Sequence, residues 1–327
     1  VRVVFGIDIG GTTIKMGCFD EEKRLIQKWE LPSMISRRAE PMLEAIRMSL
    51  EIFLMDNGIA KKDVLGVGMT APGPVREDGF CYGAVNIGWE DTPLRTVAET
   101  VFGVSPVYVG NDATVAALGE YLFGAGRAHR SMLMVTLGTG VGGGIILDGQ
   151  VLTGEAGGAG EIGHTCVNRA ERNVCGCGKK GCLEQYVSAV GIVRMAEQIL
   201  ASENTKSLLR GEEVLTSKHV WDAAKAGDVL ALRVVDKVSD TLAMALANAG
   251  CILDPACIVI GGGVSQAGEI LLKKVEAQFC AYIFPRGKKI PFFLAELGND
   301  AGIYGGASLV FQSICADCIK ENEDKSN

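Results

Sequence analysis

Apolar strings that end in glycine clusters occur twice along this chain in the same order, and that repetition narrows the folds open to it. Val3-Val4-Phe5-Gly6-Ile7-Asp8-Ile9 runs into Gly10-Gly11-Thr12, and Met132-Leu133-Met134-Val135-Thr136-Leu137 runs into Gly138-Thr139-Gly140. Val64-Leu65-Gly66-Val67-Gly68 leads to Ala71-Pro72-Gly73, as Cys257-Ile258-Val259-Ile260 leads to Gly261-Gly262-Gly263. Gly110-Asn111-Asp112-Ala113 returns as Gly298-Asn299-Asp300-Ala301. The first pair of turns is offset by 128 positions and the last by 188, so the second copy carries roughly 60 additional residues. A duplicated strand-and-turn plan predicts two related α/β domains, each a mixed sheet with helices, facing each other across a cleft.

Helical periodicity fills in the rest. It predicts helices over 41–55, 112–123, 187–200, 228–249 and 303–318, with Asn111 or Asp112 capping the second. The last helix is expected to return to the first domain. That gives residues 1–114 plus 303–327 as one domain and 115–302 as a larger second one. The stretch 132–147 is apolar, but glycine and threonine divide it into strand, turn and strand rather than a membrane span. The polar tail, 320–327, is expected to fray.

A net charge of −7 with no basic stripe argues against a nucleic-acid partner. No signal peptide is read ahead of the first glycine turn. The eleven cysteines do not suggest a disulfide framework, since several, such as Cys251 and Cys257, lie in apolar strings. That usage suits a reducing, cytoplasmic setting.

Three other cysteines are closely spaced. Glu161-Ile162-Gly163-His164 is followed, ten residues on, by Cys175-Gly176-Cys177-Gly178-Lys179-Lys180-Gly181-Cys182-Leu183-Glu184. One imidazole and three thiolates fill a tetrahedral Zn²⁺ shell, and the intervening glycines allow the tight turns that bring thiolates together. His164, Cys175, Cys177 and Cys182 leave no open position, so the metal is expected to be structural. It would also fix the direction of the flanking carboxylates, Glu161 and Glu184.

Backbone N–H groups at glycine turns form anion-binding concavities, and two such turns facing each other suit a nucleotide polyphosphate. Asp8 is placed to hold Mg²⁺ through water, and Lys15 to neutralise phosphate charge. At Asn111-Asp112, N-capping accounts for one residue and frees the other to face the cleft. Asp112 is thus the candidate base that takes a proton from a substrate hydroxyl during phosphoryl transfer.

These segments, with Asn86-Ile87-Gly88-Trp89, resemble the ROK family (repressor, open reading frame, kinase), closest to its bacterial glucokinases and over almost the whole chain. The resemblance implies the actin-like, ribonuclease H-like pair of domains and transfer of the γ-phosphate of ATP to a sugar. It implies that Asp112 is the general base against the sugar 6-hydroxyl. Asn111, Glu161, His164 and Glu184 would hold other hydroxyls, with Asn86 and the Gly73 loop lining the pocket. His164 would turn one ring nitrogen to zinc and the other to sugar. Gly10, Gly11, Thr12, Thr13, Thr139, Gly140, Gly261, Gly262 and Gly263 would hold ATP. Family members are often dimers or tetramers, so a homodimer or homotetramer is expected.

Three rivals are weighed against glucose phosphorylation. ROK repressors carry a DNA-binding module before the first strand, and none is expected here, with Asp8 almost at the start of the sequence. An actin-like ATPase would need the phosphate turns but neither the sugar carboxylates nor the metal segment. A ROK kinase for N-acetylmannosamine or fructose would share nearly every motif.

Overall fold

Strands that are apolar at successive positions must be covered on both faces, and both sheets of this protein are. The computed structural model describes residues 1–285 and 289–324, the side chains of Val85 and 315–324 excepted. The first sheet comprises β1 (Val3–Ile9), β2 (Thr13–Asp20), β3 (Leu25–Pro32), β4 (Val64–Ala71) and β5 (Val107–Asn111), in the order β3-β2-β1-β4-β5. The second comprises β6 (Met132–Leu137), β7 (Val141–Leu147), β8 (Gln150–Val151), β9 (Cys257–Gly261) and β10 (Phe292–Leu294), in the order β10-β9-β6-β7-β8. In each, the first three strands are antiparallel and the last two run parallel to the first. The duplication expected from the glycine turns is therefore a duplication of topology.

Helices α1 (Glu40–Asp56) and α2 (Leu94–Phe102) connect β3 to β4 and β4 to β5, and α3 (Asp112–Phe123) leaves β5. Between β8 and β9 lie the Cys/His segment and α4 (Glu184–Val187), α5 (Ala189–Ser202), α6 (Ser217–Lys225) and α7 (Val229–Leu253). The additional residues of the second copy fall in that connection. Finally α8 (Glu269–Tyr282) joins β9 to β10, and α9 (Ala301–Asp324) follows β10.

Side chains alternate across each strand. Val3, Phe5, Ile7 and Ile9 pack with Met42, Ile46 and Phe53 of α1, while Val4 on the other face joins Ala307, Val310 and Phe311 of α9. In the second sheet Leu133, Val135 and Leu137 share a core with Leu242 and Leu246 of α7, and Met132 and Met134 meet Ala117 and Leu118 of α3.

Helices α3 and α9 have exchanged sheets. Although α3 starts at the end of β5, it packs on β7; although α9 follows β10, it packs on β1 and β4, and the two helices cross against each other. Glycines make these approaches possible. A Cβ on Gly68 of β4 would lie 1.8 Å from the Gly306 carbonyl oxygen, and one on Gly305 would lie 1.9 Å from that of Val115. Gly68→Ala should therefore destabilise the protein by about 1–3 kcal/mol, read as a lower urea midpoint. An unchanged midpoint would mean that α9 does not press on β4.

The helix expected over 187–200 is instead broken at Ser188, whose extended backbone and side chain cap α5 by accepting from Gly191 N–H (3.0 Å). Helix α9 outruns its expected end at 318 and stays helical to Asp324; the rest of the polar tail, 325–327, lies outside the described residues. Helices α2, α6 and α8 had no counterpart in the expected set. Among the described residues no helix is long and apolar enough to cross a membrane.

Candidate active site

The ends of β1, β5, β6 and β9 open on a cleft of about 570 Å³. The first half lines it with Asp8, Gly10, Lys15, Gly73, Asn86, Asn111 and Asp112. The second half contributes Gly140, Glu161, His164, Glu184 and Gly262. Sequence positions more than 250 residues apart thus meet in one space, because β1 and β9 are each the innermost or next strand of equivalent sheets.

The strand-to-helix junction divides its labour between two adjacent side chains. Asn111 is the cap of α3: its Oδ1 accepts from Ala113 N–H (3.0 Å) and Thr114 N–H (3.1 Å), and its Nδ2 donates to the Gly73 carbonyl (3.1 Å). Asp112 is left facing the cleft, with Oδ1 accepting from Ala113 N–H (2.8 Å). Its carboxylate meets the water of the cleft, yet protein surrounds it otherwise. Burial raises its pKa above the ordinary 3.8, and the negative charges of Asp8 and Glu161 push the same way against the Ala113 N–H.

Asp8 faces the same space from β1. Thr70 Oγ donates to Asp8 Oδ1 (2.8 Å), and burial raises this carboxyl too, opposed by Thr70 and Lys15. Gly302 of α9 packs directly against it, since a Cβ there would come within 2.6 Å of Asp8 Oδ2. Lys15 Nζ donates to the Asn299 carbonyl (2.8 Å), tying the first sheet to the turn before α9.

Opposite lies a polar wall. Glu184 Oε2 accepts from Val141 N–H (3.0 Å), just beyond the Gly138–Gly140 turn. His164 Nε2 lies 4.0 Å from Glu161 Oε2, while its Nδ1 lies 3.8 Å from Cys175 Sγ. The imidazole therefore stands between the thiols and the cleft, one nitrogen toward each. Cys177 Sγ and Cys182 Sγ are 3.6 Å apart, and one ligand atom from each of His164, Cys175, Cys177 and Cys182 lies within 4.8 Å of the others. A tetrahedron with metal–sulfur bonds of about 2.3 Å has edges of about 3.8 Å, so the cluster fits a structural zinc site. Gly178 and Gly181 take the left-handed φ values of 83° and 77° that the turn requires. Behind the cluster, Gln185 Oε1 accepts from the N–H groups of Gly181 (2.8 Å) and Cys182 (3.1 Å) and fixes the hairpin.

Not every expected residue lines the cleft. Gly11, Thr12 and Thr139 are exposed at turn tips, and Thr13 pairs with Pro32 at the start of β2. Gly261 is buried, and a Cβ there would come 2.8 Å from the Met134 methyl. Gly263 does not line the cleft either, although its neighbour Gly262 does. Conversely Thr136, Gly298, Asn299 and Gly302 line the cleft and were not among the expected residues. The signal for two of them, Gly298 and Asn299, was the echo of Gly110-Asn111-Asp112 in Gly298-Asn299-Asp300. Glu120 was also missed. Fully buried on α3, it accepts from the N–H groups of Ala125 (3.0 Å), Glu296 (3.1 Å) and Leu297 (2.7 Å) and anchors the approach to that turn.

Known proteins share this arrangement across their length. The chain is 45% identical over 316 residues to a glucokinase of Halalkalibacterium halodurans, covering 95% of this chain and 96% of that one. The crystal structure of a ROK family glucokinase from Streptomyces griseus, in complex with glucose and AMPPNP, is 35% identical with a TM-score of 0.76, covering 95% of this chain and 99% of that one. A ROK hexokinase from Thermus thermophilus is 32% identical with a TM-score of 0.81, covering 97% and 100%. Residues 4–313 match the ROK family itself, so the duplicated sheets, the cleft between them and the Cys/His hairpin are those of a chain that belongs to that family.

Proposed function

We propose that this protein phosphorylates glucose at the 6-hydroxyl with ATP. The observation that carries the reading is one cleft holding the Asp112 carboxylate between glycine turns of both sheets and a wall of Glu161, His164 and Glu184. The likeness to a glucokinase of Halalkalibacterium halodurans over 95% of the chain supports glucose and ATP as the pair.

In this reading Glu161, His164, Glu184 and Asn86 hold the sugar ring hydroxyls, and the Gly73 loop closes the side of the pocket. Asn111 acts mainly through the cap, with its amide turned to the Gly73 carbonyl. Asp112 accepts a hydrogen bond from the 6-hydroxyl and takes its proton as the oxygen bonds to phosphorus. The turns that bring Gly10, Gly140 and Gly262 to the cleft would receive the polyphosphate, with Lys15 near its charge. Asp8 lines the cleft with Thr70 holding its Oδ1, which places the carboxylate to hold a hydrated Mg²⁺. Magnesium would neutralise the transferring phosphoryl group. Zinc would lock His164 and the hairpin without entering the reaction.

The division into 1–114 with 303–327 and 115–302 gives this mechanism two halves that can close on sugar. The seam of α3 and α9 lies between them as the pivot. Closure would exclude water from ATP.

Coupled ADP release with Mg-ATP across a panel of hexoses tests the reading. Saturable turnover with glucose, and little with fructose or N-acetylmannosamine, is expected. Sugar-independent ATP turnover would overturn it in favour of a plain ATPase.

The raised pKa of Asp112 sets a pH dependence. A base must be ionised to work, so kcat/KM should fall on the acid side with an apparent pKa above 3.8. Asp8 raises that pKa by its charge, so Asp8→Asn should move the acid limb to lower pH. A limb that stays in place would separate it from Asp112.

A further inference from the structure

We propose that Cys166 is a peroxide-reactive thiol that forms a disulfide with Cys182 and thereby releases the metal of the hairpin. The inference rests on the zinc reading above and assigns a fourth sulfur that the reading does not use. Cys166 is not among the donors that converge within 4.8 Å.

The backbone places the two cysteines opposite each other. Cys166 and Cys182 form an antiparallel bridge. The hydrogen bonds around it run from Val167 N–H to the Gly181 carbonyl (2.8 Å) and from Leu183 N–H to the Thr165 carbonyl (2.9 Å). They flank the pair rather than join it, which defines a non-hydrogen-bonded pair. Such residues have Cα atoms about 4.5 Å apart and side chains on the same face. A disulfide spans Cα separations of about 4.4–6.8 Å, so this pair can be joined without moving either strand. Cys166 Sγ already leans on the opposing strand, where a Cβ on Gly181 would lie 3.3 Å from it.

Access decides the order of events. Cys166 is exposed and Cys182 is buried, so an oxidant in solvent reaches Cys166 first. The Cys166 thiolate attacks a hydroperoxide such as H₂O₂: the S–O bond forms, the O–O bond breaks, and hydroxide leaves. The Cys182 thiolate then attacks the sulfenic sulfur, forming S–S as the S–O bond breaks and a second hydroxide leaves. Protons from the Cys166 thiol and from solvent convert the hydroxides to two waters. The two sulfurs supply the two electrons that reduce the peroxide. Cys182 can then no longer act as a thiolate ligand, and Zn²⁺ is held by His164, Cys175 and Cys177 alone. Because Cys182 precedes Glu184 by two positions, the polar wall of the cleft would loosen with it.

The test treats purified holoprotein with H₂O₂ and follows zinc with a chromogenic chelator, while peptide mass mapping identifies disulfides. Zinc release from the wild-type chain should accompany a Cys166–Cys182 peptide, and reductant with added zinc should reverse both. Cys166→Ser should release zinc about tenfold more slowly at the same peroxide dose, since the first attack is lost. Cys251→Ser, which removes an exposed thiol on α7, should behave as wild type. Equal release from Cys166→Ser, or a disulfide confined to Cys175, Cys177 and Cys182, would overturn the inference. Protein that yields no zinc when unfolded in chelator would instead overturn the metal reading, and the release step with it.

Discussion

Asp112→Asn should lower kcat by at least about a hundredfold, about 3 kcal/mol of barrier, while glucose still binds. The amide keeps the size of the carboxylate and can still hydrogen-bond the 6-hydroxyl, but it cannot take the proton. The substitution also leaves the helix start intact, because the cap of α3 is Asn111 and not Asp112. Loss of activity could then not be laid to unfolding, and the urea midpoint should change little. Glucose affinity, followed by fluorescence or calorimetry, should stay within a few-fold of wild type. Near-normal turnover would remove Asp112 as base.

Cys177→Ser should cost sugar affinity more than nucleotide affinity. Cys177 is a surface thiol whose sulfur lies 3.6 Å from that of Cys182, so a serine there subtracts one thiolate donor and little packing. A zinc ion at the hairpin would hold His164 through the nitrogen facing Cys175, and its loss would free the ring whose other nitrogen faces Glu161. Residues that orient a site indirectly commonly change its affinity by about 10- to 100-fold, and the KM for glucose should rise by that order. The KM for ATP should move far less, because the glycine turns of β1 and β9 are set by the sheets. Metal analysis of both proteins checks the cause. A rise in both constants together would mean that zinc supports the whole fold and not the sugar wall.

Much of this was legible before any coordinates. The Asn111-Asp112 pair announced its own division of labour, since a helix start needs one cap and leaves the second side chain over. The hairpin was legible because thiol spacing and glycine placement are local. So was the paired topology, because strand and turn repeat in order. What escaped the sequence depends on contacts between distant segments. The exchange of α3 and α9 between sheets is decided by close approaches such as Gly68 to Gly306, which no local pattern records. The same holds for Glu120, whose three N–H partners include two that lie more than 170 residues further on. Thr136 reads as one more strand residue until β9 and β7 close around it. The break at Ser188 was missed because an apolar period carried straight across it.

The exchange of helices also sets an order of assembly during synthesis. The face of β1 and β4 that holds Val4 is covered by α9, which begins 230 positions after β4 ends. At about 5–20 residues per second the ribosome needs roughly 10–50 s to make that stretch. Until then an apolar sheet face stands open. The face of the second sheet that holds Met132 and Met134 has no such wait, because α3 is made before it. The half of the molecule that is translated first is thus the half that is finished last.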